Sequence, residues 1–292
     1  MSRYRAVFRR ALSAGIIAAG LATAPLWGAA PATRVPLPKS PAPGEEPLSV
    51  DLSPRAPRRA PEAGTAAFAD RAILLCWHSF LGDPSLPTDF SLAEARAQLD
   101  SLAALGYRFP SFSDLAAGRL EGARNIVVTI DDAHRTVPSA VDRVFSERGI
   151  RPSLFVYPAV VGTTSFSMDD ANLRRLSAAG SLVGAHGYHH LFVTEDLFKR
   201  DRAAFMKEIY KAKEKTEALS SLPVLAYAYP FGALSAVTKE ELARAGYAYG
   251  VAVKPGFVYG KAVLDDELEL PRLVVTRDNW PEILAMLRRN AR

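Results

Sequence analysis

The chain has 292 residues, of which 49% are hydrophobic and 23% charged, and its formal net charge at pH 7 is +5. This composition is typical of a globular protein with room for one large domain, and it excludes a wholly disordered or fibrous chain. Residues 1–32 contain four arginines and no acid, so the remainder carries a net charge of only +1. The basic character therefore indicates no nucleic-acid partner, and we predict none.

The N-terminal 67 residues differ in composition from the rest. Four arginines precede the uncharged apolar stretch 11–27, and Ala30-Pro31-Ala32 offers a cleavage site with small residues. Residues 1–32 are predicted to be a signal peptide, with an uncleaved anchor and membrane association as the alternative. The proline-rich residues 33–67 are predicted to be a disordered tether. We expect an exported, periplasmic or extracellular protein whose folded domain covers 68–292.

Short apolar runs and amphipathic stretches alternate along the folded domain. The runs that predict strands are 73–77, 107–109, 125–130, 153–157, 182–185, 224–228, 247–253 and 273–276. The stretches that predict helices are 91–105, 113–117, 137–148, 169–179, 201–219, 235–245 and 281–289. In the helix predicted at 201–219, we expect the lysines and glutamates to face solvent. This alternation predicts an α/β fold, a distorted (β/α) barrel of about seven strands.

The predicted strand 125–130 runs directly into two adjacent acids, Asp131 and Asp132. A continuous apolar run of this length predicts a buried strand of a parallel sheet, so the carboxylates leave the core at its C-terminal end. In α/β sheets and barrels that end carries the chemistry. Adjacent carboxylates repel and are best accommodated when they share a cation or a proton, whereas the structural alternative is a helix cap.

All five histidines of the chain lie within a few residues of a predicted strand end: His78, His134, His186, His189 and His190. Together with the two acids they predict a metal site of two histidines and one carboxylate, which suits zinc and related divalent ions. The only cysteine, Cys76, lies inside an apolar run, so we expect a buried thiol that forms no internal disulfide.

These segments resemble the motifs of one enzyme family. Thr129-Ile130-Asp131-Asp132-Ala133 resembles the TFDDG motif of the NodB-homology polysaccharide deacetylases (carbohydrate esterase family 4), and His186-Gly187-Tyr188-His189-His190 resembles their HTxxH motif. Tyr229-Pro230-Phe231-Gly232 resembles the third motif. The segments 75–78 and 270–272 resemble parts of the branch that deacetylates poly-N-acetylglucosamine. The resemblance covers about residues 70–290.

The resemblance implies a role for each of these residues. Asp132, His186 and His190 would hold a divalent metal ion, zinc in the first place, with cobalt or nickel as alternatives. Asp131 would be the general base, and His78 the general acid that protonates the leaving sugar amine. The third motif would contact the oxyanion or substrate through Phe231, Tyr229 and Pro230, with the backbone N–H of Phe231 donating to the oxyanion.

The sequence departs from the family pattern at two positions. Position 228 is alanine, whereas the third motif usually begins with the arginine that orients the base. Arg272 is the candidate replacement, although its place at the start of a strand argues against sufficient reach, and Arg277 at the other end is its competitor. Ala133 replaces the usual glycine, which matters if that position requires a positive φ.

Three assignments stay open at this point. His189 could replace the adjacent His190 as a metal ligand, although the i to i+4 spacing from His186 favours His190. His134 is expected at the rim of the site. Aromatic residues near the strand ends would suit stacking on sugar faces, or they belong to the core: Trp77, Tyr188, Tyr229 and Phe231.

The expected function is metal-dependent hydrolysis of N-acetyl groups on a polysaccharide that contains N-acetylglucosamine, with exopolysaccharide as the favoured substrate. The close alternative is the N-acetylglucosamine of peptidoglycan. An alternative of a different class is a catalytically silent sugar-binding module with the same fold.

Overall fold

The acid pair follows a strand that is buried along its whole length, β2 (Asn125–Asp131), as its run of isoleucine and valine predicts. The structure is a computed structural model that describes residues 70–259 and 266–291, all of which belong to one compact unit, Pro57–Arg292. The other strands are β1 (Arg71–Trp77), β3 (Ser153–Val156), β4 (Val183–Ala185), β5 (Ala226–Ala228), β6 (Tyr249–Val251), β7 (Val258–Tyr259) and β8 (Arg272–Val274).

The described strands form one curled sheet in the order β6-β5-β4-β3-β2-β1-β7, and β8 also pairs with β1. The pairs from β6 to β1 are all parallel, as expected for strands connected by helices. One edge of β1 has two partners, because β7 pairs antiparallel with Arg71 and Ala72 while β8 pairs parallel with Leu74–Cys76. The predicted α/β fold of the NodB (β/α)-barrel type is confirmed, with the sheet curled into a half-barrel.

Alternation along the strands separates two buried layers. Ile126, Val128 and Ile130 pack with the helices that cover the outer face of the sheet. Val127 points to the opposite face, where residues from β1, β2, β3, β5 and β6 meet in one cluster inside the curl. Because side chains alternate along a strand, Thr129 and Asp131 share this inner face with Val127. The first acid of the pair is therefore directed into the interior of the half-barrel.

The helices lie where the amphipathic pattern predicts, with some changes at their ends. The α-helical segments are Leu92–Ala104, Phe112–Ala116, Val137–Ala140, Asp170–Ala178, Glu195–Arg200, Arg202–Met206, Ala212–Ser220, Ala236–Arg244 and Trp280–Asn290. The first of them begins at a capping box, in which Ser91 and Glu94 satisfy each other's backbone N–H groups.

Two sequence predictions about these elements are wrong in detail. The helix predicted at 201–219 contains a π-helical turn, Lys207–Lys211, and Glu208 within it is buried rather than exposed to solvent. The strand predicted at 107–109 is reduced to a single bridge between Arg108 and Asn125. The helix Glu195–Arg200 and strand β7 were not predicted, because neither has a sustained apolar period.

The predictions for residues 1–67, a signal peptide or anchor followed by a tether, lie outside the described residues. Within 70–259 and 266–291, no helix combines the length and the apolar character that crossing a membrane would require.

Candidate active site

Asp131 and Arg272 form a buried ion pair inside the half-barrel. The guanidinium donates to both carboxylate oxygens, with Nη1–Oδ1 and Nη2–Oδ2 distances of 2.7 Å, and Nη1 also lies 3.1 Å from Thr129 Oγ1. Burial alone would raise the pKa of Asp131, but the charges of Arg272 and His186 and the hydrogen bonds from Arg272 hold it well below its usual range. Asp131 is therefore an oriented carboxylate at neutral pH.

The concern that Arg272 could not reach Asp131 is wrong. Arg272 opens β8 but is almost fully buried, and its long side chain extends along the inner face of the sheet to the end of β2. Its competitor Arg277 lies elsewhere, paired with Glu94 at the start of the helix Leu92–Ala104. The guanidinium that the third motif lacks at Ala228 is thus supplied from another strand.

A matched pair of arginine substitutions would test this positioning. Arg272→Lys keeps the positive charge but cannot reproduce the two-pronged contact with Asp131, so we expect kcat for amide hydrolysis to fall by about 10- to 100-fold. Arg277→Lys should leave kcat within about twofold of wild type, because its Glu94 pair is partly exposed and remote from Asp131. Equal losses in the two variants would contradict the assignment.

Asp132, His186 and His190 bring three ligand atoms together at the ends of β2 and β4. The Oδ1 atom of Asp132 lies 3.6 Å from His186 Nε2 and 3.5 Å from His190 Nε2, and the two Nε2 atoms are 3.1 Å apart. His186 Nδ1 donates to the Ala228 carbonyl at 2.8 Å, so its Nε2 presents a lone pair to this point. All three predicted metal ligands therefore face one another.

The chemistry of this donor set fits a divalent cation. Burial lowers the pKa of both His186 and His190 to about 4, so both rings are neutral at pH 7, with their Nε2 atoms facing each other. Asp132 Oδ1 is buried and has no hydrogen-bond partner among the residues that the structure describes. The site thus offers two imidazole nitrogens and one carboxylate oxygen. Zinc and related ions bind such a set of ligand atoms.

Unusual backbone conformations are concentrated at this site. Of the five described non-glycine residues with positive φ, four belong to the three motifs: Asp132 (73°), Ala133 (56°), His190 (64°) and Phe231 (59°). Such conformations cost about 1–2 kcal/mol each in an L-residue and persist where surrounding contacts impose them. Ala133 thus adopts the left-handed conformation that a glycine would adopt readily, and its methyl group packs in the core.

The structure distinguishes His190 from its neighbour. His189 is exposed, its ring contacts Tyr188 edge-on, and its Nε2 accepts a hydrogen bond from Lys207 Nζ at 2.9 Å. That nitrogen therefore points away from Asp132 and His186. His134 lies beside the site, where its Nδ1 contacts Thr136 Oγ1 at 2.8 Å, in keeping with a rim position.

His78 follows β1 directly and lies next to the ion pair. One of its ring nitrogens, the Cys76 sulfur and an Asp131 oxygen all lie within 4.8 Å of one another. The Nδ1 atom of His78 is buried without a hydrogen-bond partner in 70–259 and 266–291. Cys76 is fully buried, as predicted, and burial raises the pKa of its thiol well above the usual value.

The third motif separates into a supporting part and an exposed part. Tyr229 and Pro230 are buried, and the Tyr229 hydroxyl donates to the Leu268 carbonyl at 2.6 Å, so neither side chain offers a face to a sugar. The expectation that these two side chains contact substrate is therefore corrected. Phe231 remains partly exposed between the rings of His190 and Phe192. Trp77 likewise belongs to the core and donates to Gln98 Oε1.

Sequence reasoning missed several residues that complete the site. Tyr157 lies against His190, with 5.2 Å between the ring centroids, and burial raises the pKa of its hydroxyl. Phe192 stacks on Phe231 at 4.1 Å with only 12° between the ring planes. Glu208 contacts the loop between the two histidine ligands. Tyr157 at a strand end was available as a signal, and the spacing of Glu208 from the apolar residues Phe205 and Ala212 was another.

Comparison with known protein families indicates the class. Residues 119–250 match the family model described as polysaccharide deacetylase, and this segment contains the acid pair, His186 and His190. The match and the fold indicate a hydrolase that acts on amide bonds. More particularly, the matched segment is similar to a polysaccharide deacetylase domain.

Solved structures with the same fold extend over most of the described region. IcaB from Ammonifex degensii is 26% identical, with a TM-score of 0.64 over 75% of this chain and 97% of that one. A polysaccharide deacetylase from Bacillus cereus is 22% identical (TM-score 0.62, covering 76% and 70%). The deacetylase PplD from Streptococcus pyogenes, in complex with acetate, is 16% identical (TM-score 0.62, covering 75% and 99%). A comparison with curated protein sequences found no match.

Proposed function

We propose that this protein is a metal-dependent deacetylase that removes N-acetyl groups from an exported polysaccharide containing N-acetylglucosamine. One observation carries the proposal: the unpartnered Oδ1 of Asp132 and the facing Nε2 atoms of His186 and His190 converge beside the buried Asp131–Arg272 pair. This combination provides a cation site next to an oriented base, which hydrolysis of an unreactive amide requires.

The cation would be held by Asp132, His186 and His190, with zinc as the favoured ion. When bound there, it supplies Lewis acidity, which polarises the acetyl carbonyl and makes a nearby water easier to deprotonate. The hydrogen bond from His186 Nδ1 to the Ala228 carbonyl fixes that ring and its tautomer. Asp132 contributes the negative charge that distinguishes this site from a purely neutral histidine pair.

Asp131 is the proposed general base. Its Oδ2 atom lies 3.5 Å from His186 Nε2, so the carboxylate borders the cation site without facing it as directly as Asp132 does. Arg272 donates one hydrogen bond to each oxygen of Asp131. Each oxygen therefore keeps a second lone pair that can accept a hydrogen bond from the attacking water. Asp131 takes the water's proton as the water oxygen bonds to the acetyl carbon.

The two remaining roles fall to His78 and to the third motif. His78 lies beside Asp131 and is the proposed acid that donates a proton to the sugar nitrogen as the C–N bond breaks. The backbone N–H of Phe231 is the proposed donor to the oxyanion of the tetrahedral intermediate. The left-handed conformation of Phe231 turns the chain at this point next to His190.

The surface around the site supports a saccharide substrate. Phe192 is 48% exposed and lies parallel to Phe231, so the pair forms an apolar platform beside His190. Such platforms suit the apolar faces of sugar rings. The segments 75–78 and 270–272, which resemble the branch that deacetylates poly-N-acetylglucosamine, favour an exopolysaccharide over peptidoglycan. The N-terminal signal pattern supports a location outside the cytoplasm, with or without a membrane anchor.

Acetate release from defined polymers tests the proposed function. The purified full-length chain, loaded with zinc, should release acetate from poly-β-1,6-N-acetylglucosamine faster than from chitooligosaccharides or peptidoglycan. A chelator should stop the release, and added zinc should restore it. Preference for peptidoglycan would redirect the substrate assignment. Saccharide binding without acetate release from any polymer would instead support a silent binding module.

A further inference from the structure

Glu208 is a fully buried carboxylate that the proposed mechanism does not use. It lies in the π-helical turn Lys207–Lys211, and π-turns of this kind frequently mark functional positions. An ionised carboxylate away from water is costly unless hydrogen-bond donors surround it. The backbone donors here all come from one segment, the loop 187–191, which includes His190.

Three backbone N–H groups of that loop donate to the carboxylate. Tyr188 N lies 2.9 Å from Oε2, His189 N lies 2.9 Å from Oε1 and 3.2 Å from Oε2, and Leu191 N lies 3.2 Å from Oε2. Successive N–H groups that converge on one anion form a nest, and bonds to an ionised acceptor are about twice as strong as neutral ones. The loop therefore wraps around Glu208.

The same contact explains two backbone features of the loop. A Cβ atom at Gly187, which has φ of 74°, would lie only 2.5 Å from Glu208 Oε2. His190 also has a positive φ, 64°, immediately before Leu191, the last donor to the carboxylate. The cost of the left-handed conformation at His190 is thus offset by bonds to Glu208.

The two histidine ligands depend differently on this arrangement. His186 directly follows β4, and its ring is held by the Ala228 carbonyl, so its position does not require Glu208. His190 follows no strand. The residues on either side of it, His189 and Leu191, both donate backbone N–H groups to Glu208. Glu208 would therefore act on the cation site through His190 alone.

We infer that Glu208 is a positioning residue that sets the conformation of the 187–191 loop and thereby aims His190 Nε2 at the cation site. The inference rests on the proposed function, in which His190 is a metal ligand. Removing an outer partner of a metal ligand typically costs 10- to 100-fold in metal affinity. Both oxygens of the Glu208 carboxylate accept hydrogen bonds from backbone N–H groups of the loop. A glutamine at this position would place its NH₂ group opposite one of those N–H groups, so that two donors would face each other.

The test measures zinc binding by competition with a chelator rather than activity. Glu208→Gln should raise the zinc Kd by about 10- to 100-fold while the far-UV circular dichroism spectrum stays that of wild type. The matched control is Glu241→Gln. Glu241 is also buried, but it contacts Tyr210 and Arg244 rather than the loop, so its substitution should change the zinc Kd by less than twofold.

Two further variants separate positioning from general destabilisation. In a His190→Ala background, Glu208→Gln should change the zinc Kd by less than twofold, since the ligand it aims is gone. If Glu208→Gln does not fold, Gly187→Ala perturbs the same contact from the loop side and should weaken zinc binding to a similar degree.

Three outcomes would overturn the inference. They are an unchanged zinc Kd in Glu208→Gln, an equal loss in Glu241→Gln, and a full additional loss in the His190→Ala background. Failure of the wild-type chain to bind zinc would count against the proposed function itself, and it is separable from these outcomes because the wild-type measurement comes first.

Discussion

Asp131→Asn should reduce acetate release by roughly 10³-fold while the zinc content stays near one per chain. General base catalysis contributes about 10²- to 10⁴-fold, and asparagine cannot accept the water's proton. The cation site should survive, because its three proposed ligands are Asp132, His186 and His190. Metal analysis of the purified variant, together with the initial rate on the best polymer substrate, would measure both quantities.

Stability must be measured alongside activity in this variant. Asp131→Asn leaves the Arg272 charge buried without its anionic partner, which typically costs about 3–5 kcal/mol of unfolding free energy. Thr129→Val is the matched control, since it removes another contact of Arg272 but keeps the base, and we expect less than a tenfold loss of rate. If folded Asp131→Asn retains more than a tenth of the wild-type rate, another group is the base.

The sequence predicted the site to the extent that its residues lie at strand ends. Asp131, Asp132 and His186 each end or follow a strand of one parallel sheet, so topology alone brings them to the same edge. The apolar run of β2 does not distinguish the two acids, because both of its faces are buried. The fold and the grouping of acids and histidines at one edge could therefore be predicted from the sequence, whereas the separate role of each acid came from the family resemblance.

The contact of Arg272 with Asp131 was harder to judge from sequence. The two residues are 141 positions apart, and their pairing depends on β8 joining the same strand, β1, that also pairs with β2. Position along a strand suggested that the guanidinium was too far from the edge. The arginine side chain extends inside the curled sheet to the end of β2, a reach that position along the chain does not reveal.

Glu208 illustrates a different limit of sequence reasoning. Its charge assigned it to solvent, because the glutamates and lysines of a surface helix normally face water. Its spacing indicates the opposite, since Glu208 lies three residues after Phe205 and four before Ala212, both of which are buried. What the helix sequence does not reveal is the source of its partners, three backbone N–H groups from a separate segment.

Ala133 shows how a departure from a family motif can be accommodated. The left-handed φ of 56° confirms that the position favours glycine, yet alanine adopts it at modest cost. Its methyl group is 2% exposed and packs in the outer core cluster, which offsets part of that cost. The adjacent Asp132 also has a positive φ, and its carboxylate faces His186 and His190.

His190→Ala and His189→Ala form the sharpest test of the cation site, because the two residues are adjacent and chemically identical. His190→Ala removes one of three ligand atoms, so the zinc Kd should rise by more than the 10- to 100-fold typical of an outer partner. His189→Ala removes a ring whose Nε2 is bonded to Lys207, and the zinc Kd should stay within about twofold of wild type. Equilibrium dialysis of the two variants against buffered zinc would give both values.

Activity should follow zinc affinity in these two variants. At a free zinc concentration that saturates wild type, His189→Ala should retain most of the acetate release, whereas His190→Ala should retain very little. Raising the zinc concentration can restore occupancy in His190→Ala only in part, since two ligands hold the ion less firmly and in a different geometry. The reverse pattern, with zinc lost from His189→Ala and kept by His190→Ala, would make His189 the ligand instead of His190. The loop 187–191 would then need a different conformation around Glu208.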